Sequence, residues 1–558
     1  MVLNEESVAN AAFGSKSSTA TKEPETDKEN AKQQQQATTF TPELPRPDWL
    51  RSGPARLQLR FTRMHEESGE KLPRGHQQAA VFLLVSLGYM FTQSSRKALS
   101  NSKSSLMATW TPATSNASGY VWAPEYSQHN LFQNEDEAET FLGWMDALFM
   151  TGYAISLFIA GRLGDFMQAN MMFAVGLWAS GITLIMTAFP PEMLTWYQAP
   201  WYAVWYLAFG LFNGLPKPVS IRVLAEWFPR RNHGVVVALY SLSYPAGRML
   251  GSFLSSAVIN YGYEIVFLMH GSLCIACGFL EFFGLVDSPR DVGYPAFNDT
   301  VVNTSVLNAI DNEKEDDEKT GIHHLKFVWG VFLLPGVILY TLSYSLIKLV
   351  NYSVTFWLPL YCEKAFGWSA SVSGVLSAFF DIGGVFGTLF MGFVWDKIPK
   401  GRNSTLFLLI MLLTGILCGY LGKLAKNLNE IYEMLIKSDL YIVQPVRTST
   451  SLAPPGAKGK NVISTITGLT NGFGSLAAAI ACVLVPFLEV HFGWDSAFYL
   501  FVIATLLSGV ALIPLCWEEW KLVFNGTSAK TDDSNSKNTE KPLEKPTEEY
   551  PSEIDMKF

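Results

Sequence analysis

The chain has 558 residues, of which 49% are hydrophobic and only 16% charged, with 38 Phe and 16 Trp. That balance excludes an ordinary soluble domain and a nucleic-acid binder and points to a polytopic membrane protein. The formal net charge of -8 says little about partners other than the bilayer, because most of the acid lies in loops and tails.

Residues 1–74 are polar, with the run Gln33 to Gln36 and scattered Lys, Glu and Pro, and read as a disordered tail without a signal peptide. Apolar runs able to cross a bilayer of ~30 Å at ~1.5 Å per residue then fall at about 77–98, 140–160, 169–189, 200–223, 234–258 and 263–285. A hydrophilic stretch follows, with a charge run from Asp311 to Lys319, and a second set lies at about 327–361, 371–394, 405–424, 431–452, 463–487 and 495–516. The expected architecture is an all-α membrane protein with 12 transmembrane helices in two six-helix bundles. Residues 75–286 form the N-terminal bundle, 287–324 a cytoplasmic linker, 325–518 the C-terminal bundle and 519–558 a disordered tail.

Basic residues before span 1, at Arg230 and Arg231, and at Lys397, Lys400 and Arg402 place those loops and both termini in the cytosol. The loop 101–139 is then exoplasmic and carries Asn116-Ala-Ser118, a usable N-glycosylation acceptor. Cys274 and Cys277 form a CxxC on an apolar span with no partner pair, so they read as packing residues. No metal or cofactor site is expected. Without a Gly-rich phosphate loop or a matched nucleophile and base, the sequence points away from an enzyme.

Span 1 ends in two adjacent cations, Arg96 and Lys97. A Lys or Arg at the centre of an inserted helix costs roughly 2.5–3.5 kcal/mol, so an intramembrane pair is a substrate-site hypothesis. The alternative is that both side chains snorkel to the headgroups from the helix end. A repeat ties the two halves together: Gly161-Arg-Leu-Gly-Asp165 follows span 2 and Gly392-Phe-Val-Trp-Asp396 follows span 8. The glycine admits close helix approach, and the acid can pair with a neighbouring helix end and lock a closed state, which is a gating role.

These repeats resemble the loop motif of the major facilitator superfamily. Ser95-Arg96-Lys97, Trp110-Thr-Pro112, Phe141-Leu-Gly-x-x-Asp146, Glu226-Trp-Phe228, Tyr261-Gly-Tyr-Glu264, Lys348-Leu-Val-Asn-Tyr-Ser353 and Trp357-Leu-Pro359 are similar to segments of the organophosphate:phosphate antiporters. Within these the resemblance is to the sugar phosphate exchangers (solute carrier family 37). It implies exchange of a sugar phosphate such as glucose 6-phosphate for inorganic phosphate by alternating access. Two other outcomes stay open: a proton-linked or uniport exporter of another organic anion, and a transport-deficient sensor or partner subunit with an accessory membrane subunit. The resemblance implies the endoplasmic reticulum membrane, but the tail lacks a dilysine signal, so lysosome and plasma membrane stay open.

Bacterial members clamp phosphate between an arginine on helix 1 and another on helix 7. Arg96 matches the first, while Asn351 stands at the second arginine's place. Lys348, one turn earlier, is the expected second cation. Asp381 on span 8 is the expected acid, held ionised by Lys348 or Arg96. Tyr244 stands where bacterial members have a His, Lys217 is inserted into span 4 and Arg248 adds charge on span 5, these two cations with a packing or snorkelling alternative, while Arg222 matches a bacterial arginine near the cytoplasmic end and implies a vestibule role. The tenth span, interrupted by Glu430, Glu433, Lys437 and Asp439, is the poorest.

Overall fold

The computed structural model describes residues 74–112, 131–228, 233–289, 336–397, 408–410, 412 and 460–535, with side chains for all of these but 74, 161–166, 233–234, 391–397, 460–469, 518–519 and 522–535. The described elements are helices. Before the central segment they are α1 (Arg74–Ser95), α2 (Lys97–Trp110), α3 (Glu135–Phe166), α4 (Ala169–Leu194), α5 (Ala199–Asn213), α6 (Pro216–Trp227), α7 (His233–Ser241), α8 (Ser243–Val258) and α9 (Tyr263–Gly284). After it come α10 (Val337–Phe366), α11 (Ala370–Lys397), α12 (Lys460–Phe492) and α13 (Trp494–Asn535). Seven helices among the described residues are long and apolar enough to cross a membrane.

Three of the predicted spans are broken in two, each for a local reason. Span 1 turns at Arg96, where the hydroxyls of Thr92 and Ser95 bond back to the carbonyls of Gly88 and Thr92 and compete with the helical ladder. Span 4 breaks at Gly214 and Leu215, ahead of Pro216 and Pro218, which lack the N–H a continuous helix needs. Span 5 breaks at Leu242, three residues before Pro245.

Two extents differ from expectation. Span 1 runs on through α2 to Trp110, because Leu99 to Lys103, Leu106, Met107 and Trp110 are buried by neighbouring helices rather than exposed beyond the membrane. The tail expected to be disordered from 519 begins as helix, with α13 continuing to Asn535 through a stretch that holds no proline after Pro514. Spans 9 and 10, Asn116, and the linker beyond Pro289 lie outside the described residues except for 408–410 and 412. Helices α3 and α11 run through Gly161–Asp165 and Gly392–Asp396, whose side chains are not described.

Large apolar side chains such as Phe158, Ile159, Phe279, Phe283, Ile503 and Leu507 face outward, as lipid demands, while polar side chains turn inward. Every residue from Thr92 to Lys103 is buried, so the stretch around the Arg96 turn is enclosed on all sides. Gly251 on α8 permits this: a Cβ there would lie 2.5 Å from the Ser94 carbonyl oxygen and 3.1 Å from Lys97 Cβ.

Candidate functional site

The site grows from the turn between α1 and α2. Arg96 is 2% exposed. Its Nε donates to Asn213 Oδ1 at 2.8 Å and its Nη1 to Tyr352 Oη at 3.0 Å. Asn213, the last residue of α5, is itself fixed by donating to the Thr92 carbonyl and to Ser95 Oγ, both at 3.3 Å. The guanidinium plane lies over Tyr153, 4.4 Å from the ring centroid, with Phe149 at 5.4 Å. Its Nη2 is buried and finds no acceptor among the described residues.

Lys348 on α10 is 2% exposed. Its Nζ donates to the Asn471 carbonyl at 3.1 Å and to Ser475 Oγ at 2.7 Å, both on α12. It lies 5.8 Å from the Tyr153 ring and 5.6 Å from the Tyr352 ring, the same two aromatics that hold Arg96. Lys217 on α6 reaches Asn471 Oδ1 at 3.3 Å, as does Tyr344 Oη at 2.9 Å. Three cations from the two bundles thus converge on one aromatic and amide cluster.

Beside it stands a second group. Lys97 Nζ is 3.2 Å from Asp381 Oδ2, and Arg248 Nε is 2.8 Å from Asp381 Oδ1. Lys97 also donates to Ser377 Oγ at 2.7 Å. Arg248 donates to Asn351 Oδ1 at 3.4 Å and to the Thr355 hydroxyl, with Tyr244 stacked 4.6 Å beneath it. Tyr244 Oη donates to Asn351 Oδ1 at 3.3 Å. Asp381 is fully buried and both of its oxygens face these cations.

This corrects the expected pairing of Asp381. Its partners are Lys97 and Arg248 rather than Lys348 or Arg96, because α11 packs against α8 and α2 while Lys348 points toward α12. Lys97 and Arg248 do not snorkel; at 0% and 2% exposure they lie inside the protein. Asn351 belongs to this second group. Arg222 lies apart, 4.0 Å from Asp287, which accepts from the first two amides of α4.

Tyr153, Tyr352 and Asn471 were not foreseen. A tyrosine or asparagine in an apolar run carries no periodic mark that separates a site residue from a packing one. Asn213 was visible as a departure beside Pro216. Among the described residues no group of His, Cys, Asp and Glu is arranged to hold a metal ion.

Two further contacts cross between the bundles. Lys364 on α10 pairs with Glu139 on α3 and lies 3.2 Å from Glu489 on α12. Ser100 Oγ donates to the Thr355 carbonyl at 2.9 Å.

Residues 79–432 match the Major Facilitator Superfamily model. Mouse sugar phosphate exchanger 3 is 32% identical over 465 residues, covering 80% of this chain and 94% of the relative. The putative glycerol-3-phosphate transporter 5 of Arabidopsis thaliana is 26% identical over 471 residues, covering 80% of this chain and 93% of the relative. Among solved structures, a D-xylose-proton symporter superposes with a TM-score of 0.57 at 16% identity, covering 78% of this chain and 97% of its own, a likeness of fold alone. With a broken first helix that carries its charge into the bundle interface and a relative this similar over most of both lengths, the chain belongs to the sugar phosphate exchanger family of the major facilitator superfamily.

Proposed function

We propose that the chain is a secondary antiporter that exchanges a sugar phosphate, glucose 6-phosphate or a close relative of it, for inorganic phosphate by alternating access. The observation that carries the reading is the fork of Arg96. Two of its nitrogens are fixed by Asn213 and Tyr352, while Nη2 is buried without an acceptor among the described residues, and the Lys348 ammonium lies 5.6 Å from the same Tyr352 ring. A guanidinium held in this way is preorganised for a phosphate oxygen, and binding needs no further ordering of its side chain.

The two cations come from different bundles, so the anion joins the halves and relieves the repulsion between them. An empty carrier keeps that repulsion and switches slowly, which makes exchange faster than net flux. Lys97, held by Asp381, lies within the same interface, and phosphate competes with the carboxylate for it. Asn351 and Tyr244 shape the wall between the two groups. In this reading Gly161, Asp165, Gly392 and Asp396 gate the cytoplasmic ends. Both termini lie in the cytosol, Asn116 carries a glycan on the opposite face, and the endoplasmic reticulum is the membrane of residence.

The test is uptake of labelled glucose 6-phosphate into phosphate-loaded liposomes containing the purified protein, with Arg96→Ala as control. Uptake that depends on internal phosphate and is lost in Arg96→Ala supports the reading. No uptake with any phosphorylated substrate would favour a sensor or partner-subunit role, and uptake driven equally well without internal phosphate would favour a uniporter.

A further inference from the structure

Arg96, Lys97, Lys217, Arg248 and Lys348 cluster at the bundle interface and Asp381 divides them, apart from the separate pairs Lys103–Asp146 and Lys364–Glu139. Asp381 is shared by Lys97 and Arg248. Arg96, Lys348 and Lys217 have no acid within ion-pair distance among the described residues; their fixed partners are the neutral groups Asn213, Tyr352, Ser475 and Asn471. Like charges this close in a low-dielectric interior repel strongly and are costly unless an anion joins them.

Lys217 is what distinguishes this arrangement from a two-cation clamp. It enters from α6, immediately after Pro216 restarts the helix, and its Nζ meets the side-chain oxygen of the same Asn471 whose carbonyl holds Lys348. Asn471 therefore tethers one lysine from each bundle, and Lys348 shares the Tyr153 and Tyr352 side chains with Arg96. Tyr344 donates to the same Asn471 oxygen and fixes its orientation.

Resting on the transport reading above, we infer that Lys217 is a third anion-binding residue and that the site selects a phosphate group carrying two negative charges over one carrying a single charge. A phosphate monoester has its second pKa near ~6 and is a dianion above it, whereas a phosphodiester keeps one charge at any neutral pH. Three uncompensated cations match the dianion. A singly charged group leaves two of them unbalanced.

The experiment measures binding rather than flux. The thermal unfolding midpoint of the purified full-length protein in detergent at pH 8 is titrated with glucose 6-phosphate and, separately, with its methyl phosphodiester. The monoester is expected to stabilise at concentrations about tenfold or more below the diester. Lys217→Gln and the near-isosteric Lys217→Met are expected to bring the two within about threefold, while Lys217→Arg keeps the preference. Equal stabilisation of the wild type by both compounds overturns charge selection without the need for any variant. An unchanged preference in folded Lys217→Gln or Lys217→Met overturns the role of Lys217. If the liposomes show no exchange but the preference for the dianion and its dependence on Lys217 persist, the antiport reading fails and this assignment stands. Phosphate exchange without any charge preference has the opposite meaning.

Discussion

Arg248 Nε sits 2.8 Å from Asp381 Oδ1, across the interface between the two bundles and with both side chains almost completely buried. Lys97 Nζ closes the group from the other side at 3.2 Å. A carboxylate in this position holds two cations that would otherwise repel each other, and it ties α11 to both α2 and α8. Removing one member of a buried group costs about 3–5 kcal/mol, because it leaves charge uncompensated, whereas removing charge from both sides costs much less. Asp381→Asn is therefore expected to lower the thermal midpoint by several degrees and to slow exchange. The double variant Asp381→Asn with Arg248→Gln recovers a good part of the stability. A double variant no more stable than the single one would show that the group is not acting as a charge balance.

Arg96→Lys separates charge from geometry. Lysine keeps the cation but cannot reach Asn213 and Tyr352 while presenting a free donor to the anion. A hydrogen bond to a charged group contributes about 1.5–3 kcal/mol, so the loss in transport efficiency is expected to be roughly tenfold to a hundredfold. Initial rates of glucose 6-phosphate uptake against concentration provide the check. Rates equal to wild type would mean that only the charge of Arg96 matters.

Much of this architecture was legible in the sequence, for reasons that also mark where legibility stops. Long apolar runs and the paired Gly-x-x-x-Asp segments give the helices and their twofold plan, because lipid permits few alternatives. Arg96 stood out because a charge in an apolar run is expensive. The partner of Asp381 could not be read in the same way. Lys97, Lys348, Arg96 and Arg248 are all cations of similar reach, and the choice among them depends on how α8 crosses α11 and on the turn at Arg96. Tyr153 and Asn471 gave no signal at all, since their role comes from which opposing helix they meet.

Asn351 occupies the position of a second arginine in the bacterial pattern, yet its side chain oxygen accepts from Arg248 and Tyr244 rather than facing Lys348. The structure thereby sets the terms of a rescue. Asn351→Arg alone would press a new guanidinium against Arg248 and is expected to impair exchange. Combined with Arg248→Gln, which removes the opposing charge, Asn351→Arg is expected to restore activity relative to Arg248→Gln. Uptake rates of the three variants side by side decide the point. If Asn351→Arg is as harmful with Arg248→Gln as without it, the two positions do not share one charge environment.

Lys364 offers the clearest handle on the conformational cycle. It joins Glu139 of α3 to Glu489 of α12 with its own helix α10, so a single side chain spans both bundles at this end of the molecule. Glu139 is completely buried and depends on Lys364 for its counter-charge. Opening this end must break the group, and the energy lost by the closed state in Lys364→Met is of the order of a few kcal/mol. Since ~5.5 kcal/mol inverts a 1:99 equilibrium to 99:1, a substantial population shift toward opening at this end is expected. Spin labels at the exposed positions Glu137 and His491 report it directly through their distance distribution, which should gain a longer component in Lys364→Met. The same distribution in variant and wild type would show that these charges only decorate a closure held by apolar contacts such as Phe149 on Phe356.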